Sequence, residues 1–403
     1  MALMPVADAL AKVLEGAEPL AAETVPLAQA FGRVLAADLT ARRTQPPADM
    51  SAMDGYAVRA ADVATVPATL KVIGEVPAGR PFGEAIGPGE AARIFTGGVL
   101  PAGADAVVMQ EDTQRDGDRV TVTYSVKPGR HVRRAGIDFR EGAVLLARAR
   151  RLGARDLMTA AGMNHPTVPV HRKPKVALFG TGDELVLPGG TPRAGEIIYS
   201  NGYGLCALAA EAGAEVMHGG IVRDRTGDIV AAIRAAQEFG ADILVTTGGA
   251  SVGEYDLVQQ ALAAEGMTLS FWKLALRPGK PMLHGRLGAM HVLGLPGNPV
   301  SSFVCSYLFL APLIRRLSGL AEVAAQPEPA VLGRDLPEND QRADYLRATL
   351  ARDDAGRLVA TPLPVQDSSL MATLSRADCL VIREPHAPAA AAGSPCVILK
   401  LAL

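Results

Sequence analysis

The stretch KVALFGTGDELVLPGG, residues 175–190, decides the fold of the region around it. Its apolar start leads directly into a Gly-Thr-Gly turn, as a strand of a nucleotide-binding α/β sheet does. The dinucleotide motif G-x-G-x-x-G is nevertheless incomplete, because Leu185 stands at its third glycine and two acids, Asp183 and Glu184, stand where phosphates would approach. Carboxylates and phosphates repel each other, so the loop predicts a phosphate site that also holds a cation.

Strand-like and helix-like patterns alternate beyond this stretch. The predicted strands cover 175–180, about 215–222, 242–247 and the run MHVLGL, and the predicted helices cover about 201–213, 226–239, 254–265 and 299–317. Alternation at this interval indicates a mostly parallel sheet with helices on both faces. The loops that follow such strands meet at one sheet edge, where open α/β sheets bind their ligands.

The remainder of the chain has a different texture. Short amphipathic helices are predicted near 6–16 and 26–38, followed by β-like pieces broken by Gly and Pro from about 50 to 140. The segment AAQPEPAV, residues 324–331, is typical of a linker, and two β-like runs around residues 353–356 predict a hairpin.

Composition limits the function. The formal net charge is −2, with 49% apolar and 20% charged residues, so nucleic-acid binding is not expected. The four cysteines show no C-x-x-C spacing and the histidines form no metal motif. The longest apolar run, residues 303–314, is too short to span a bilayer, and no cleavable signal is visible. We therefore expect a cytoplasmic protein with no membrane partner.

The loop TTGGASVGEYD, residues 246–256, is a candidate anion site. Its glycines permit close backbone approach and positive φ, which suits amides gathered around an anion, but a tight strand-to-helix turn would explain them equally well. Asp256 could bind a metal or act only as a helix cap. The candidate binding residues of this loop are Gly248, Gly249, Ser251 and Gly253.

The loop PGNPVSS, residues 296–302, predicts the start of a helix. Asn298 would be its cap and Pro299 its first residue, and free amides at that start could bind a phosphate. Ordinary capping is the alternative. The candidate binding residues are Pro296, Gly297, Asn298 and Ser301, together with Gly182 and Asp183 of the first loop.

The segment RPGKP, residues 277–281, places fixed cations near these loops. Arg277 and Lys280 lie beside prolines that fix φ, and Lys273 precedes them closely. Held, partly desolvated cations suit a compact oxyanion, whereas the alternative is a solvated turn. With carboxylates at Asp183, Glu184 and Asp256, the sequence predicts Mg²⁺ between the acids and a bound phosphate.

These motifs resemble, in their order and spacing, the molybdopterin molybdenumtransferase family, which includes MoeA and the gephyrin E domain. The resemblance extends upstream to PPADMSAMDGYAV and RIFTGGVLPAGADAVVMQEDT and downstream to VQDSSLMATL, and so covers essentially the whole chain. Each motif is weak alone, but the set is specific.

The resemblance implies a multidomain α/β fold and an elongated homodimer with its site between subunits. The implied fold has a three-layer α/β domain with a mostly parallel sheet, a β-rich insert, a small α+β linker domain and a C-terminal β-barrel-like domain. The implied bounds are 1–22 with 172–322 for the α/β molybdopterin-binding domain, 23–42 with 141–171 for the linker domain, 43–140 for the insert and 323–403 for the C-terminal domain.

The resemblance also implies a reaction: Mg²⁺-dependent insertion of molybdenum from molybdate into adenylylated molybdopterin, with release of AMP. The implied catalytic residues are Asp54, Thr96, Glu184 and Asp256. The implied molybdate pocket is formed by Arg277, Lys280, Arg347 and Ser368, and Ser301 matches a polar contact nearby. Asp138 matches a metal-binding acid, although Ile137 stands where a second acid is usual. Either Ser368 or Ser369 could be the oxyanion contact.

Two other functions stay open at this point. The chain could be a non-catalytic pterin-binding scaffold, as the gephyrin fold also clusters receptors, or a molybdopterin adenylyltransferase or nucleotide pyrophosphatase. The acids at 184 and 256 favour the transferase over the scaffold, and the extra β domains favour it over the other two enzymes. Sequence does not separate molybdate from tungstate, nor does it name the molybdoenzymes that would receive the cofactor or say whether the substrate is channelled.

Overall fold

The structure is a computed structural model that describes residues 3–248 and 257–401. The predicted sites at Gly249, Ser251, Gly253 and Asp256 lie outside the described residues.

The N-terminal segment forms one of the two helices predicted for it. Helix α1 (Val6–Leu14) buries one apolar face, and strands β1 (Ala22–Pro26) and β2 (Leu39–Thr40) follow. The predicted helix over 26–38 is wrong, because only a single 3-10 turn, Leu27–Gln29, forms there. Gly32 has φ of 74°, and Val34 and Leu35 form β-bridges with residues more than 100 positions away, so long-range pairing outweighs the local helical pattern.

The β-rich insert contains a six-stranded sheet with the order β7-β4-β6-β5-β9-β8. Its elements are β3 (Met50–Ser51), β4 (Gly55–Val58), β5 (Ala68–Val76), β6 (Glu90–Ile94), β7 (Ala106–Met109), β8 (Thr113–Asp116), β9 (Arg119–Val122) and β10 (Val132–Arg133). Buried valines and alanines fill both faces of this sheet.

A small unit is built from chain segments on both sides of the insert. Strand β11 (Val144–Leu146) pairs with β2, helix α2 (Ala154–Gly162) follows, and β12 (Thr167–His171) pairs antiparallel with β1. These elements share one buried cluster. The exact domain bounds stay a prediction.

The α/β region has the predicted three layers. Its sheet has the order β16-β13-β17-β21-β20-β18, in which the first four strands are parallel and β20 is antiparallel to both of its neighbours, β21 and β18. The elements are β13 (Lys175–Thr181), β14 (Leu185–Val186), β15 (Ile197–Ile198), α3 (Asn201–Ala212), β16 (Glu215–Val222), α4 (Thr226–Phe239), β17 (Ile243–Thr247), α5 (Leu257–Ala264), β18 (Thr268–Trp272), β19 (Leu276–Arg277), β20 (Leu283–Leu287) and β21 (Met290–Leu295). Separate apolar cores lie on its two faces.

A long apolar helical stretch completes this region. It consists of α6 (Pro299–Cys305), a π-helical segment (Ser306–Leu310) and α7 (Ala311–Leu317). By length and composition alone its 19 residues could cross a membrane, but 78% of the apolar window is buried inside the protein. It is therefore placed as a core helix, and its burial accounts for its apolar sequence.

The C-terminal region is a closed five-stranded barrel, with the order β23-β24-β22-β26-β25 and β25 returning to β23. Its elements are β22 (Glu328–Leu332), β23 (Ala343–Arg352), β24 (Leu358–Pro362), α8 (Met371–Ser375), β25 (Cys379–Arg383) and β26 (Pro395–Lys400). The predicted linker over 324–331 is wrong in its second half, where β22 begins. Pro329 fits there because β22 pairs with β24 only at Val331 and Leu332, so Pro329 needs no amide on that side.

Candidate active site

The loops after β13, β17 and β21 meet at one edge of the sheet. A Cβ atom built on Gly248 would lie 2.3 Å from the carbonyl oxygen of Thr181, and one built on Gly297 would lie 3.8 Å from the Cα atom of Gly248. Gly248 also has φ of 85°, so glycine is required there for both reasons. The predicted convergence of these three loops is confirmed for their described residues.

The loop after β13 carries the acids over a tight turn. A Cβ atom on Gly182 would lie 2.6 Å from Glu184 Oε2, so the Glu184 carboxylate folds back over this glycine. The carboxylate of Asp183 accepts the backbone amide of Asp224 at 3.4 Å. Burial first, and the negative charges of Asp183 and Glu184 as well, raise the pKa of the Asp224 carboxyl. Three carboxylates therefore share this corner of the site.

Asp224 is a site residue that the sequence reasoning missed. It follows β16, which is parallel to β13, so the sheet-edge argument applied to β16 would have found it. The motif search passed over the loop because VRDRTGD contains no glycine-rich signature.

The start of α6 is tied to the C-terminal barrel. Asn298 occupies the predicted cap position with Pro299 as first helical residue, but its side chain does not cap the helix. Instead, Asn298 Nδ2 donates to Ser368 Oγ at 2.8 Å, and the Val300 amide donates to the Ser368 carbonyl oxygen at 3.0 Å. One of the amides that the sequence left free for a phosphate is therefore already bonded.

Ser368 is the serine that lies at this junction. The neighbouring Ser369 donates its hydroxyl to Asp367 Oδ1 at 2.6 Å, within its own turn. Ser301, on the first turn of α6, is buried. The structure thus places Ser368 and Ser301 at the same helix start and turns the Ser369 hydroxyl to Asp367.

Asn201 joins the starts of two helices. Its Nδ2 donates to the carbonyl oxygen of Gly297 at 2.7 Å and lies 3.3 Å from Ser302 Oγ. Ser302 is buried and donates in turn to the Pro296 carbonyl oxygen. Sequence reasoning assigned Asn201 only to a helix, because its role depends on a partner about a hundred residues away.

Arg277 is bonded into the barrel rather than left free for an anion. Its Nε donates to Asp344 Oδ1 at 2.6 Å and its Nη2 to Asp344 Oδ2, while Nη1 reaches Asp340 Oδ2 at 3.1 Å and Nη2 reaches Asn339 Oδ1 at 3.0 Å. The hydrogen bonds that Arg277 donates to Asp344 are the first cause of a raised pKa of the guanidinium. Two carboxylates thus compete with any oxyanion for Arg277.

The two nearby lysines differ in conformation. Lys273 has φ of 100°, which is unusual for a residue with a side chain, and Lys280 is exposed. The loop between them packs on α6, since a Cβ atom on Gly279 would lie 2.5 Å from Cys305 Sγ. Lys280 is therefore a cation exposed to solvent on a loop that contacts the α6 helix.

Arg347 is a buried cation on the barrel side of the site. Its side chain is 1% exposed, and Nη2 donates to the Asp367 carbonyl oxygen at 3.0 Å, directly before Ser368. Its Nε is buried and has no hydrogen-bond partner among the described residues. Burial lowers the pKa of the guanidinium, whose intrinsic basicity still keeps it charged.

Asp54 and Thr96 lie together on the insert. Asp54 Oδ1 accepts the Thr96 amide at 2.7 Å and the Thr96 hydroxyl at 2.8 Å, and these two bonds lower the pKa of the Asp54 carboxyl. A Cβ atom on Gly55 would lie 1.8 Å from the Val108 carbonyl oxygen, so only glycine fits between the strands there. The hydrogen-bond partners of both residues belong to the insert, not to the loops of the α/β region.

Asp138 lies apart from the other acids. It is exposed, and its amide donates to the Gln45 carbonyl oxygen at 3.2 Å, next to Phe139 in the small unit between insert and α/β region. No group of three or more potential metal ligands is found among the described residues. The predicted metal role of Asp138 is thus not supported by a contact with Glu184.

Comparison with known families matches nearly the whole chain. Residues 4–163 match the MoeA N-terminal region (domain I and II), residues 177–316 a probable molybdopterin binding domain, and residues 329–401 the MoeA C-terminal region (domain IV). The molybdopterin molybdenumtransferase of Haemophilus influenzae is 34% identical over 94% of each chain. The chain belongs to the molybdopterin molybdenumtransferase family. The resemblance read from the loops, and the enzyme class it implies within molybdenum cofactor biosynthesis, are thereby confirmed.

Other members of the molybdopterin molybdenumtransferase family agree. The enzyme of that name from a Nostoc species is 42% identical over 74% of this chain and 70% of its own length. The crystal structure of a molybdopterin biosynthesis MoeA protein from Pyrococcus horikosii superimposes with a TM-score of 0.85 at 31% identity, covering all of both chains. The predicted multidomain fold is confirmed by this agreement.

Proposed function

We propose that this transferase inserts molybdenum from molybdate into adenylylated molybdopterin and releases AMP in a Mg²⁺-dependent step. The observation that carries the proposal is the position of α6. Its start touches the acid-bearing loops through Gly297 and Gly248, and the barrel through Ser368, while a cation-bearing loop packs on its side at Gly279. A site with acids on one side and cations on the other suits a metal, a phosphate and an oxyanion together.

The oxyanion subsite would lie between α6 and the barrel. Lys280, the hydroxyls of Ser368 and Ser301, and the Nε of Arg347, which has no partner among the described residues, would supply donors for a molybdate dianion. In this proposal Arg277 contributes mainly by holding the RPGKP loop against the barrel through Asp344. The residues would then raise the local occupancy of molybdate beside the pterin sulfurs.

We place Mg²⁺ at the acidic corner, with the carboxylates there as its ligands. Burial first, and then the negative charges of Asp183 and Glu184, raise the pKa of Asp224, and a divalent cation would relieve the repulsion among the three carboxylates. No three-ligand group is preformed among the described residues, which agrees with the preference of Mg²⁺ for one or two carboxylates plus phosphate oxygens and water. When bound, the ion would neutralise charge on the substrate phosphates, and Asp183 and Glu184 would hold it.

The insert residues would complete the site in a homodimer. Asp54 and Thr96 are bonded to each other within the insert, whereas Glu184 lies on the α/β region. We therefore place Asp54 and Thr96 of one subunit at the cleft of the other, with the enzyme in the cytoplasm and molybdoenzymes as recipients of its product.

The test is release of AMP from adenylylated molybdopterin by purified protein, measured by chromatography with and without molybdate and Mg²⁺. The expected result is release that needs Mg²⁺, rises with molybdate and yields a product that reconstitutes a molybdenum-free apoenzyme. Tight binding without release would replace this proposal with the scaffold function. Consumption of ATP with molybdopterin would replace it with adenylyltransferase activity.

A further inference from the structure

The Asp54–Thr96 pair has a neighbouring cation, Arg93, which is not among the site residues that the motifs predict. Arg93 lies on β6 directly opposite Tyr56 on β4. Its guanidinium carbon lies 5.2 Å from the centre of the Tyr56 ring and 5.1 Å from the centre of the Phe95 ring. Three motif segments, SAMDGYA, RIFTGG and MQEDT, therefore converge on one arginine, because the last supplies Gln110 beside it.

The guanidinium is fixed in place by these neighbours. Nη2 of Arg93 donates to Gln110 Oε1 at 2.5 Å, and Nη1 lies 3.4 Å from the Gly55 carbonyl oxygen. Contacts with two aromatic rings restrict the orientation of the planar guanidinium, which keeps its charge. The side chain is half-buried, and its contacts with Gln110 and the two rings hold its orientation before any ligand arrives.

The same side chain keeps unused donors. The hydrogen bonds among the described residues involve one terminal N–H on each side of the guanidinium and leave the Nε–H group of Arg93 without a partner. Arg93 also forms no ion pair with Asp54 in the described part of the chain, and Asp54 uses only Oδ1 to accept from Thr96. The pair therefore presents a cation with free N–H groups beside a carboxylate with a free oxygen.

We propose that Arg93 binds a phosphate group of the substrate at the Asp54–Thr96 site. The inference rests on the proposed function, in which the substrate is an adenylylated pterin. One oxygen of a phosphate can accept from the guanidinium while a water or hydroxyl bound to the same phosphate donates to Asp54. A carboxylate ligand has fewer oxygens, so a phosphate suits the site better. The rings of Tyr56 and Phe95 and the amide of Gln110 would then act by positioning Arg93.

The test compares Arg93→Gln and Arg93→Lys with a matched control, Arg115→Gln. Arg115 lies on the same insert, is exposed and has its nearest carboxylate, that of Glu75, at 3.7 Å. In AMP release from adenylylated molybdopterin, Arg93→Gln should lower kcat/KM by about 10- to 100-fold, since a charged hydrogen bond is lost. Arg93→Lys should restore part of that loss because it keeps the charge, and Arg115→Gln should match the wild type.

Each other result overturns a specific part of the inference. Wild-type kcat/KM in Arg93→Gln, with an unchanged thermal midpoint, would remove Arg93 from the site and leave the proposed function standing. A weaker dimer with unchanged kcat/KM at saturating protein would make Arg93 a contact between chains instead. If Arg93→Gln fails to fold, Arg93→Lys decides: a wild-type kcat/KM for it would rule out the need for a guanidinium.

A wild-type enzyme without turnover would contradict the proposed function, and equilibrium dialysis of adenylylated molybdopterin would then decide the inference separately. Weaker binding by Arg93→Gln than by the wild type supports it. Equal binding by the two proteins, or no binding by either, overturns it.

Discussion

The Arg277–Asp344 pair predicts an unequal response to loss of either partner. The Asp344 side chain is only 6% exposed, whereas the Arg277 side chain is 44% exposed. Arg277→Met leaves a buried carboxylate without its cation and should lower the free energy of unfolding by about 3–5 kcal/mol. Asp344→Asn leaves a guanidinium that water can reach, so its cost should be only about 1–2 kcal/mol.

The double variant separates pairing from packing. Arg277→Met combined with Asp344→Asn removes both charges, so its cost should fall below the sum of the two single changes, with a coupling of about 2–3 kcal/mol. The proper assay is local, because a multidomain chain need not unfold in one step. Amide hydrogen exchange along β23, which carries Asp344 and pairs with β19, reports the stability of this junction.

The control is Arg334→Met. Arg334 is an exposed arginine that lines, together with Arg277 and Asp344, a cavity of about 390 Å³ beside the barrel. It should change stability by no more than about 0.5 kcal/mol. An Asp344→Asn variant as damaging as Arg277→Met would refute the argument from burial. A coupling near zero would show that the two side chains contribute independently.

Three further predictions concern the insert and the site. Gly55→Ala should destabilise the insert by more than about 3 kcal/mol in thermal unfolding, because the added methyl meets a backbone oxygen. Gly83→Ala should be nearly neutral, since no atom of the described residues lies within 4 Å of its Cβ position. Thr96→Val keeps the hydrogen bond from the backbone amide to Asp54 but loses the one from the hydroxyl, so the depressed pKa of Asp54 should rise. Because a carboxylate loses its charge as pH falls through its pKa, the acid limb of the kcat/KM profile should move to higher pH. An acid limb that does not move would exclude Asp54 from the reaction. Co-expression of Asp54→Asn and Glu184→Gln chains, each inactive alone, should recover about a quarter of wild-type activity if the site forms between two subunits, and no recovery would place the site within one chain.

The core of the α/β region could be predicted because its signals are local. The run MHVLGL is strand β21 over the whole of its length, and the helices predicted at 201–213 and 226–239 form within a residue of those bounds. Continuous apolar runs bounded by turns leave few alternatives. The loops after these strands then followed from sheet geometry alone.

The errors arise where a distant partner decides the structure. Residues 26–38 have a helical pattern but form bridges with segments far along the chain. The hydrogen bonds of Arg277 to Asp344, 67 residues away, were also missed for this reason, whereas its predicted role toward an oxyanion stays a prediction. Neither propensity nor spacing contains the information that would identify such partners. Arg93 was missed for the same reason, because its position depends on contacts with residues outside its own motif.

Strand β19 has a consequence for how the chain could be divided. It belongs by sequence to the α/β region but pairs with β23 of the barrel, and the α6 start and Tyr307 add hydrogen bonds across the same junction. The covalent connection between α7 and β22 is therefore only one of the links that join the barrel to the rest. We therefore expect two separately produced fragments, divided between residues 318 and 327, to reassemble, because each contact named here joins a residue before the division to a residue after it.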